Sequence, residues 1–424
     1  MSFALAGTLA AFVLITVLAN RKVPLYLDVL IGTLVVGLSC GYGIMEMGTT
    51  VIQALQEPST VELLSVIAMI CISSYLLQRF GLLKLAVEAL DRLLPSTKIT
   101  IMLVPMLIGC LTVTGGAIIS APMVDALGDR LDIPPDKRSS INLLYRHAAH
   151  FMFPFVPGII LASSLGGFPA TELALMMSPI TIALVSLGYF FLLRTVPFTP
   201  EAKENHFVKD LFSFLLNASP ILLPLLLSIG AGLNFILSLA IGSVVALLII
   251  MTNQTGQSNA KVATPPVDST APPRLQFQDV FMGLYQQRML LLTAASIMIF
   301  RGMITATNVL SPFISEMLAR GIPLALLCAF FPFLIGYSTG QISSAIGICW
   351  PLIIPVGFTG YLVPLAMLMY CSGYLGYFFS PLHLCTVLSN GFFKVELSTT
   401  YRNLLPVFVP IPILMVVLYT LFGH

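Results

Sequence analysis

Residues 104–123 read Val-Pro-Met-Leu-Ile-Gly-Cys-Leu-Thr-Val-Thr-Gly-Gly-Ala-Ile-Ile-Ser-Ala-Pro-Met, an apolar stretch that is interrupted by Thr114-Gly115-Gly116. Its opening phrase, Pro-x-Leu-Ile-Gly at 105–109, returns at 332–336. The Thr-Gly pair returns as Thr339-Gly340, although the gap before it is shorter. A phrase that occurs in each half of a 424-residue chain predicts two copies of one structural unit.

The composition places the chain in a membrane. Only 9% of the residues are charged, 57% are apolar and the mean hydropathy is +0.97, whereas a soluble domain carries roughly 25% charged residues. The seven cysteines lie singly in apolar segments, which is typical of small core residues rather than of disulfides or metal ligands. Residues 3–19 follow no basic leader and precede no small-residue cleavage site, so we interpret them as a retained span.

Ten stretches are long and apolar enough to cross a bilayer, which takes about 20 residues. They are 3–19, 25–42, 63–77, 141–164, 172–193, 214–229, 233–251, 289–307, 361–379 and 401–422. Two further stretches, 97–128 and 321–357, are too long for one span and are interrupted by Thr-Gly. From Ile99 to Thr114 a helix rises roughly 22 Å, which is short of the roughly 30 Å hydrocarbon core. We therefore predict two re-entrant hairpins rather than two pairs of kinked spans.

The basic residues test this arrangement. With each hairpin entering and leaving on the same side, all Lys and Arg residues except Arg146, Arg301 and Arg320 fall on one face of the membrane. The positive-inside rule makes this face cytoplasmic and puts both termini outside. Counting either hairpin as a full crossing would split the basic residues between the two faces.

The repeat extends beyond the hairpins, since Pro157 matches Pro381 and Gly167-Phe168 matches Gly391-Phe392. Each half contains three spans, a hairpin and two spans, and this odd number of crossings turns the second copy upside down. We predict an all-α membrane protein of ten transmembrane helices and two re-entrant hairpins. The inverted repeats cover 1–196 and 214–424, with a cytoplasmic linker at 197–213. Inverted repeats with discontinuous helices are typical of secondary transporters.

The hairpin tips carry small polar residues and glycines at equivalent interruptions. They are Thr112, Thr114, Gly115, Gly116 and Ser120 in the first hairpin, and Ser338, Thr339, Gly340, Gln341, Ser343 and Ser344 in the second. Glycines let the backbone turn, and the helix that follows offers free N–H groups to an anion. Hydroxyl and carbonyl oxygens suit sodium. The tips are therefore candidate substrate and ion sites, although small polar residues also help helices to pack in lipid.

Two spans are broken by proline. Pro157 interrupts the fourth span and Pro381 the ninth, and polar residues follow each break as Ser163-Ser164 and Ser389-Asn390. Proline removes an N–H group and frees backbone carbonyls, so these residues are candidate ion ligands rather than markers of simple kinks. In an inverted pair, we expect the breaks to meet the hairpin tips near the membrane midplane.

Ionisable residues inside the spans complete the candidate site. Arg146 lies on the broken fourth span with His150 one turn away, which makes Arg146 the predicted partner of an anionic substrate. His147, His150 and His383 are candidates for proton carriers or for hydrogen-bonded packing residues. Arg301 binds substrate or locks helices through backbone carbonyls. Asp125 is an ion candidate or an interface residue.

With its two interrupted stretches at Thr114-Gly115-Gly116 and Thr339-Gly340-Gln341, the chain resembles the ion transporter superfamily, which includes the divalent-anion/sodium symporters. Within it, the chain is most similar to a family of ten-span prokaryotic membrane proteins. The resemblance implies scaffold domains at 1–95 and 214–320, the latter with a polar loop at 252–280. It also implies transport domains made of the hairpins with 139–196 and 361–424, an elevator mechanism and a homodimer. The Ser-Asn-Thr tip signature of the dicarboxylate symporters is absent.

These features predict a symporter for a small anionic organic solute, driven by a Na⁺ or H⁺ gradient, in the inner membrane of the cell. We expect membrane lipid and the solute as partners, no nucleic acid, no cofactor beyond the coupling ion and no enzymatic activity. No Gly-x-x-x-x-Gly-Lys-Ser/Thr phosphate loop is present to bind ATP. A flippase for a lipid carrier such as a polyprenyl phosphate is the main alternative. An intramembrane enzyme built on Arg146, His147 and His150 and a channel are the others.

Overall fold

The computed structural model describes residues 3–21, 23–110, 116–196, 206–259, 275–309, 311–354 and 360–423. These ranges contain twenty-one α-helices and no strand. The first half has α1 (Phe3–Asn20), α2 (Leu25–Ser39), α3 (Ile44–Gln56), α4 (Pro58–Arg79), α5 (Leu82–Leu93), α6 (Thr97–Gly109), α7 (Gly116–Arg130), α8 (Pro135–Ala148), α9 (Pro157–Gly166) and α10 (Ala170–Gly188). The second half has α11 (Phe207–Gly230), α12 (Phe235–Asn259), α13 (Gln278–Gln286), α14 (Arg288–Thr307), α15 (Ser311–Ala319), α16 (Leu324–Thr339), α17 (Ile342–Ile353), α18 (Leu362–Phe379), α19 (Leu384–Phe393), α20 (Leu397–Phe408) and α21 (Ile411–Phe422).

Seven helical stretches among the described residues are long and apolar enough to cross a membrane. They are Pro58–Arg79, Ala170–Leu193, Phe207–Ser228, Ile236–Asn253, Arg288–Thr307, Leu362–Phe393 and Leu397–Phe422. All seven coincide with predicted spans. The other three predicted spans correspond to α1, to the 15-residue α2 and to the broken pair α8 and α9. The chain is therefore an all-helical, multi-pass membrane protein.

Five helices lie outside every predicted span and both predicted hairpins, namely α3, α5, α13, α15 and α19. In α5, Leu83, Ala86 and Val87 are buried while Lys84 and Glu88 pair at 3.8 Å on the outer side. Such an amphipathic pattern is typical of a helix that packs one face against its neighbours. Because polar residues interrupt the apolar residues of α5, a search for uninterrupted apolar runs does not detect this helix.

Helices extend into two of the predicted connecting segments. Helix α11 begins at Phe207, inside the linker predicted at 197–213. The polar loop predicted at 252–280 is helical at both ends, since α12 continues to Asn259 and α13 begins at Gln278. Residues 197–205 and 260–274 lie outside the described ranges.

The central helix is α18, which buries almost all of its residues. It crosses α16 at backbone contact. A methyl group on Gly336 of α16 would lie 2.2 Å from the carbonyl oxygen of Gly373, and one on Gly376 would lie 2.1 Å from that of Phe333. Only glycine leaves room for this approach.

The same contact occurs between α6 and α8. A methyl group on Gly109 would lie 2.1 Å from the carbonyl oxygen of Arg146. Gly109 and Gly336 are the last residues of the two Pro-x-Leu-Ile-Gly phrases. In each half, the last residue of the repeated phrase is thus the glycine at a close helix crossing. The crossings are α6 with α8 and α16 with α18, and α8 and α18 are the helices that end at the proline-containing breaks.

Ion pairs join the peripheral helices. The Arg79 guanidinium of α4 lies 2.8 Å from the Asp279 carboxylate of α13, and the Tyr75 hydroxyl lies 3.4 Å from the same carboxylate. Arg92 of α5 pairs with Asp210 of α11 at 2.6 Å. Each pair has one shielded carboxylate, so these contacts orient the outer helices against the bundle.

We expect Arg79→Ala to lower the thermal stability of the purified protein more than Arg320→Ala does. The Asp279 side chain is 3% exposed and would lose its cationic partner, whereas Arg320 and Glu316 are 72% and 59% exposed. The loss is about 1 kcal/mol, since Arg79 is itself partly solvated. Thermal unfolding in detergent measures both variants. Equal shifts would contradict a structural role for the Arg79–Asp279 pair.

Candidate functional site

Two proline-containing breaks form the frame of the candidate site. Helix α8 ends at Ala148, a 3₁₀ turn covers Ala149–Phe151, and α9 begins at Pro157. Helix α18 ends at Phe379, and α19 begins at Leu384, with Pro381 between them. Proline suits the start of a helix because its missing N–H would have no partner there. Pro157 therefore opens a new helix rather than only bending an old one.

The helices that follow the breaks pack across the two halves of the chain. Helix α9 contacts α17, and α19 contacts α7. Pro157 and Leu161 of α9 share a small, mostly apolar cavity with Ser343 of α17, closed by residues of α4 and α14. Helix α9, which follows the first break, therefore contacts the helix that follows the Thr-Gly interruption of the second half. Helix α19, which follows the second break, contacts the corresponding helix of the first half.

The contact between α19 and the first half is polar. The Asn142 amide donates to the Ala117 carbonyl oxygen at 3.2 Å and to Ser389 Oγ at 3.1 Å. Ser389 and Asn142 are both fully buried. Ala117 follows Gly116, the first residue of α7. Ser389, a predicted ion ligand, thus lies beside the start of the predicted return arm.

Asn390 extends this contact. Its Oδ1 accepts from Ser139 Oγ at 2.7 Å and from Thr400 Oγ1 at 2.8 Å. Within the described ranges, Asn142 Oδ1 and Asn390 Nδ2 have no hydrogen-bond partner although both are buried. We call Ser139, Asn142, Ser389, Asn390 and Thr400 the asparagine network. It is rich in oxygen atoms and holds one unused carbonyl oxygen.

A second group, the histidine cluster, consists of His147, His150 and His383. Nε2 of His147 lies 3.2 Å from Nε2 of His383 and 3.2 Å from the Tyr377 hydroxyl. Nδ1 of His147 bonds to the Leu143 carbonyl oxygen at 2.7 Å. His147 is 1% exposed, and so is His383. His147 near the end of α8 and His383 just before α19 thus bring imidazoles of both halves together at the breaks.

Arg146 lies next to His147 of this cluster, and His150 is its half-buried member. The Arg146 side chain is only 2% exposed. His150 is half-buried, with Nε2 3.3 Å from the Gly109 carbonyl oxygen, and its own carbonyl accepts from the Tyr370 hydroxyl at 2.9 Å. Arg146 and His150 are therefore both held where α6 crosses α8, next to the break.

The predicted tip residues of the first stretch are only partly described. Thr112, Thr114 and Gly115 lie outside the described residues, Gly116 starts α7, and Ser120 is fully buried. Their predicted role in binding remains a prediction.

The second tip lies against the second break. Gly340 ends α16 with φ +64°, and a methyl group on it would lie 2.9 Å from the Leu382 carbonyl carbon. Gln341 is exposed and precedes α17. Ser344 is fully buried, and its hydroxyl has no partner among the described residues. The tip and the break of the second half thus form one surface.

Other predicted ligands bond within their own segments. Ser338 and Thr339 each donate to a carbonyl oxygen one turn earlier, at 2.7 Å, and Ser163 donates to the Phe168 carbonyl oxygen. Ser164 is half-buried, and Pro381 is exposed. These contacts engage the hydroxyl protons but leave the oxygen lone pairs free to accept or to ligate.

The comparison with known proteins decides the family. The family described as "Protein of unknown function (DUF401)" matches residues 4–422. The chain belongs to this family.

Among solved structures, the chain is similar to the Alcanivorax borkumensis YdaH transporter. The TM-score is 0.63 at 14% sequence identity, and the match covers 90% of this chain and 89% of that chain. None of the curated proteins matches the chain. The structural similarity at this identity shows a shared fold over nearly the whole length.

Residues of the asparagine network, and a buried carboxylate of α2, were not singled out from the sequence. Asn142 and Ser139 lie one turn apart on α8, and a polar pair inside a membrane helix would have signalled them. Asp28, fully buried near the start of α2, has no partner for either carboxylate oxygen in the described ranges. It lies inside a predicted span and was passed over.

Two other charged candidates have structural contacts. Arg301 lies 3.3 Å from the Glu57 carboxylate and 3.3 Å from the Ser59 hydroxyl, so it bonds to side chains rather than to backbone carbonyls. Asp125 pairs with Arg138 at 2.7 Å. Both contacts connect neighbouring segments, and neither residue belongs to the group at the breaks.

Proposed function

We propose that the protein is a secondary active transporter, a symporter that carries a small anionic organic solute with Na⁺ or H⁺. The observation that carries the proposal is Arg146, a guanidinium held at 2% exposure beside a helix break. Charged groups inside a membrane are costly and mark substrate or ion pathways. The fold shared with the YdaH transporter supports the same class of function.

The proposed mechanism is of the elevator type. The two interrupted stretches act as re-entrant hairpins of an inverted repeat, and α9 and α19 move with them. The contacts of α9 with α17 and of α19 with α7 support this grouping because they join the halves across the site. We propose further that the protein is a homodimer in the inner membrane with both termini outside, and that membrane lipid surrounds its outer helices.

The chemistry of the site supports an anionic solute. Helices α7 and α17 start directly after the Thr-Gly interruptions, and helix N-termini stabilise anions through free N–H groups. Arg146 supplies a full positive charge and a planar fork of donors that fits a carboxylate. The solute would therefore lie between the hairpin tips and the breaks, with its carboxylate directed towards Arg146.

Two groups favour different coupling ions. The asparagine network offers hydroxyl and amide oxygens, with Asn142 Oδ1 unused, which suits a sodium ion. The His147–His383 pair, with ring nitrogens 3.2 Å apart, suits a shared proton. The asparagine network and the His147–His383 pair have no residue in common. Substitutions in one group or the other can therefore assign the coupling ion.

Proteoliposomes test the function. We expect uptake of the solute to rise when a Na⁺ or H⁺ gradient is imposed and to stop when an ionophore collapses the gradient that drives it. A thermal-shift screen of carboxylates and amino acids, with and without sodium, identifies the solute first. Uptake that persists after both gradients are collapsed would contradict the proposal.

If sodium is the coupling ion, Asn142→Ala and Ser389→Ala are expected to raise the Na⁺ concentration that gives half-maximal uptake. Each change alters the oxygen atoms around the network, and ligand-shell changes of this kind cost on the order of tenfold in affinity. Ser219→Ala is the matched control, since Ser219 lies on α11 outside the network and its hydroxyl donates to the Leu216 carbonyl oxygen of the same helix. Unchanged Na⁺ dependence in both network variants would exclude this site.

A further inference from the structure

Three ligand atoms converge at the second break. One ring nitrogen of His147, one ring nitrogen of His383 and Sγ of Cys385 all lie within 4.8 Å of one another. His147 comes from α8, whereas Cys385 is the second residue of α19 and His383 directly precedes that helix. His147 and His383 are each 1% exposed, and Cys385 is half-buried. We propose that these three residues bind a copper(I) ion.

The imidazoles are already oriented for a metal. Nδ1 of His147 faces the Leu143 carbonyl oxygen at 2.7 Å, so this nitrogen carries the proton of the neutral ring and Nε2 keeps its lone pair. Nδ1 of His383 lies 2.9 Å from Thr386 Oγ1 and 3.3 Å from the Phe378 carbonyl oxygen. Metal-binding histidines are held in this way, with the second nitrogen bonded to a carbonyl or other acceptor.

The spacing fits one shared ion. Two imidazole nitrogens about 2.0 Å from a metal at a tetrahedral or trigonal angle are roughly 3.3–3.5 Å apart. The observed separation of the two Nε2 atoms is 3.2 Å. The thiol of Cys385, with Sγ within 4.8 Å of both imidazole ligands, is the third ligand of a three-coordinate site.

Charge and ligand type favour copper(I) over harder or more highly charged cations. A thiolate with two imidazoles selects soft ions such as Cu⁺ or Zn²⁺. Binding releases the Cys385 thiol proton, so Cu⁺ with the thiolate is neutral overall, whereas Zn²⁺ would leave one positive charge. Arg146 adjoins His147 and is itself buried, and an additional positive charge next to it in a membrane is costly.

Metal binding to the purified protein in detergent tests the site without any transport assay. Under reducing conditions we expect the wild-type chain to retain one equivalent of Cu⁺ against the competing chelator bathocuproine disulfonate. Cys385→Ser and His383→Gln are expected to lose affinity by at least about a hundredfold, since each removes a direct ligand. Cys371→Ser is the matched control, because Cys371 is a buried cysteine of α18 outside this group.

The copper X-ray absorption spectrum of the wild type supplies a second measurement that needs no variant. Sulfur and imidazole scatterers together would support the site. Equal copper retention by the wild type and Cys385→Ser, or a spectrum without sulfur, would overturn the proposal. Zinc retained in preference to copper would overturn the assignment of the ion. A bound ion would occupy the His147–His383 pair, so proton-coupled uptake by copper-loaded protein would contradict this pair as the proton carrier and not the copper site.

Discussion

Arg146→Gln is expected to abolish the thermal stabilisation that the solute produces and to reduce uptake to the background of empty liposomes. Removing one partner of a buried, hydrogen-bonded charge pair costs about 2–5 kcal/mol, or roughly 30-fold and more in affinity. Glutamine is uncharged but still polar, and Arg146 contacts Gly109 through its backbone carbonyl, so the substitution preserves this contact. Thermal shift with the solute and uptake into proteoliposomes measure the loss.

Arg146→Lys and Arg301→Gln make the result specific. Lysine retains the charge but not the planar fork, so we expect partial binding. Arg301 pairs with Glu57 away from the breaks, and its side chain is 24% exposed, so Arg301→Gln should leave solute binding intact. A solute-induced shift that is unchanged in Arg146→Gln would assign Arg146 to structure instead.

Gly109→Ala and Gly336→Ala are expected to be among the most damaging single-methyl changes at the glycines that the structure describes. The new carbon would lie 2.1 Å from the carbonyl oxygen of Arg146 and 2.2 Å from that of Gly373, respectively. The obstructing atoms are backbone, so two helices must separate. Overpacking costs typically about 1–3 kcal/mol, and a backbone clash belongs at the upper end of that range. Yield of monodisperse protein and thermal unfolding in detergent measure the effect.

Gly391→Ala provides the matched control. It also adds a methyl group to a helical glycine, but nothing lies within 4 Å of the added carbon. Replacing such a glycine is neutral or slightly stabilising because the unfolded chain loses freedom. If Gly109→Ala is as stable as Gly391→Ala, then α6 and α8 do not cross as closely as the structure has them.

The glycines connect stability to the proposed transport. Gly109 sets the distance between α6 and Arg146, and Gly336 sets the distance between α16 and α18. A variant that folds with separated helices would therefore also displace the groups at the breaks. We expect residual Gly109→Ala protein to bind the solute more weakly, which distinguishes it from a change on the outer helices such as Arg79→Ala.

Much of the architecture could be predicted because hydropathy is a local property. Uninterrupted apolar runs predicted the positions of all seven long membrane helices. Proline and glycine act on their own backbone, so Pro157 and Pro381 located both helix breaks, and Thr339-Gly340 located the end of α16. The amphipathic α5 escaped because its polar residues lower the average over any window that contains it.

The contacts at the site depend on something the sequence pattern does not contain. Asn142 meets Ser389 across 247 residues, and His147 meets His383 across 236. The sequence indicates both histidines only as separate proton candidates, and it marks neither Asn142 nor Cys385 as part of the site. Which face of α8 turns towards α19 depends on how closely α6 can approach α8, and thus on the packing at Gly109.

The sequence by itself therefore determined an all-helical membrane protein, the positions of its apolar helices and the points at which they break, since each of these follows from residues near in the chain. Only the tertiary structure decided which polar groups share a site. Glycine contacts fix the rotation and separation of neighbouring helices, and that geometry places imidazoles, amides and Arg146 from distant segments beside the two breaks.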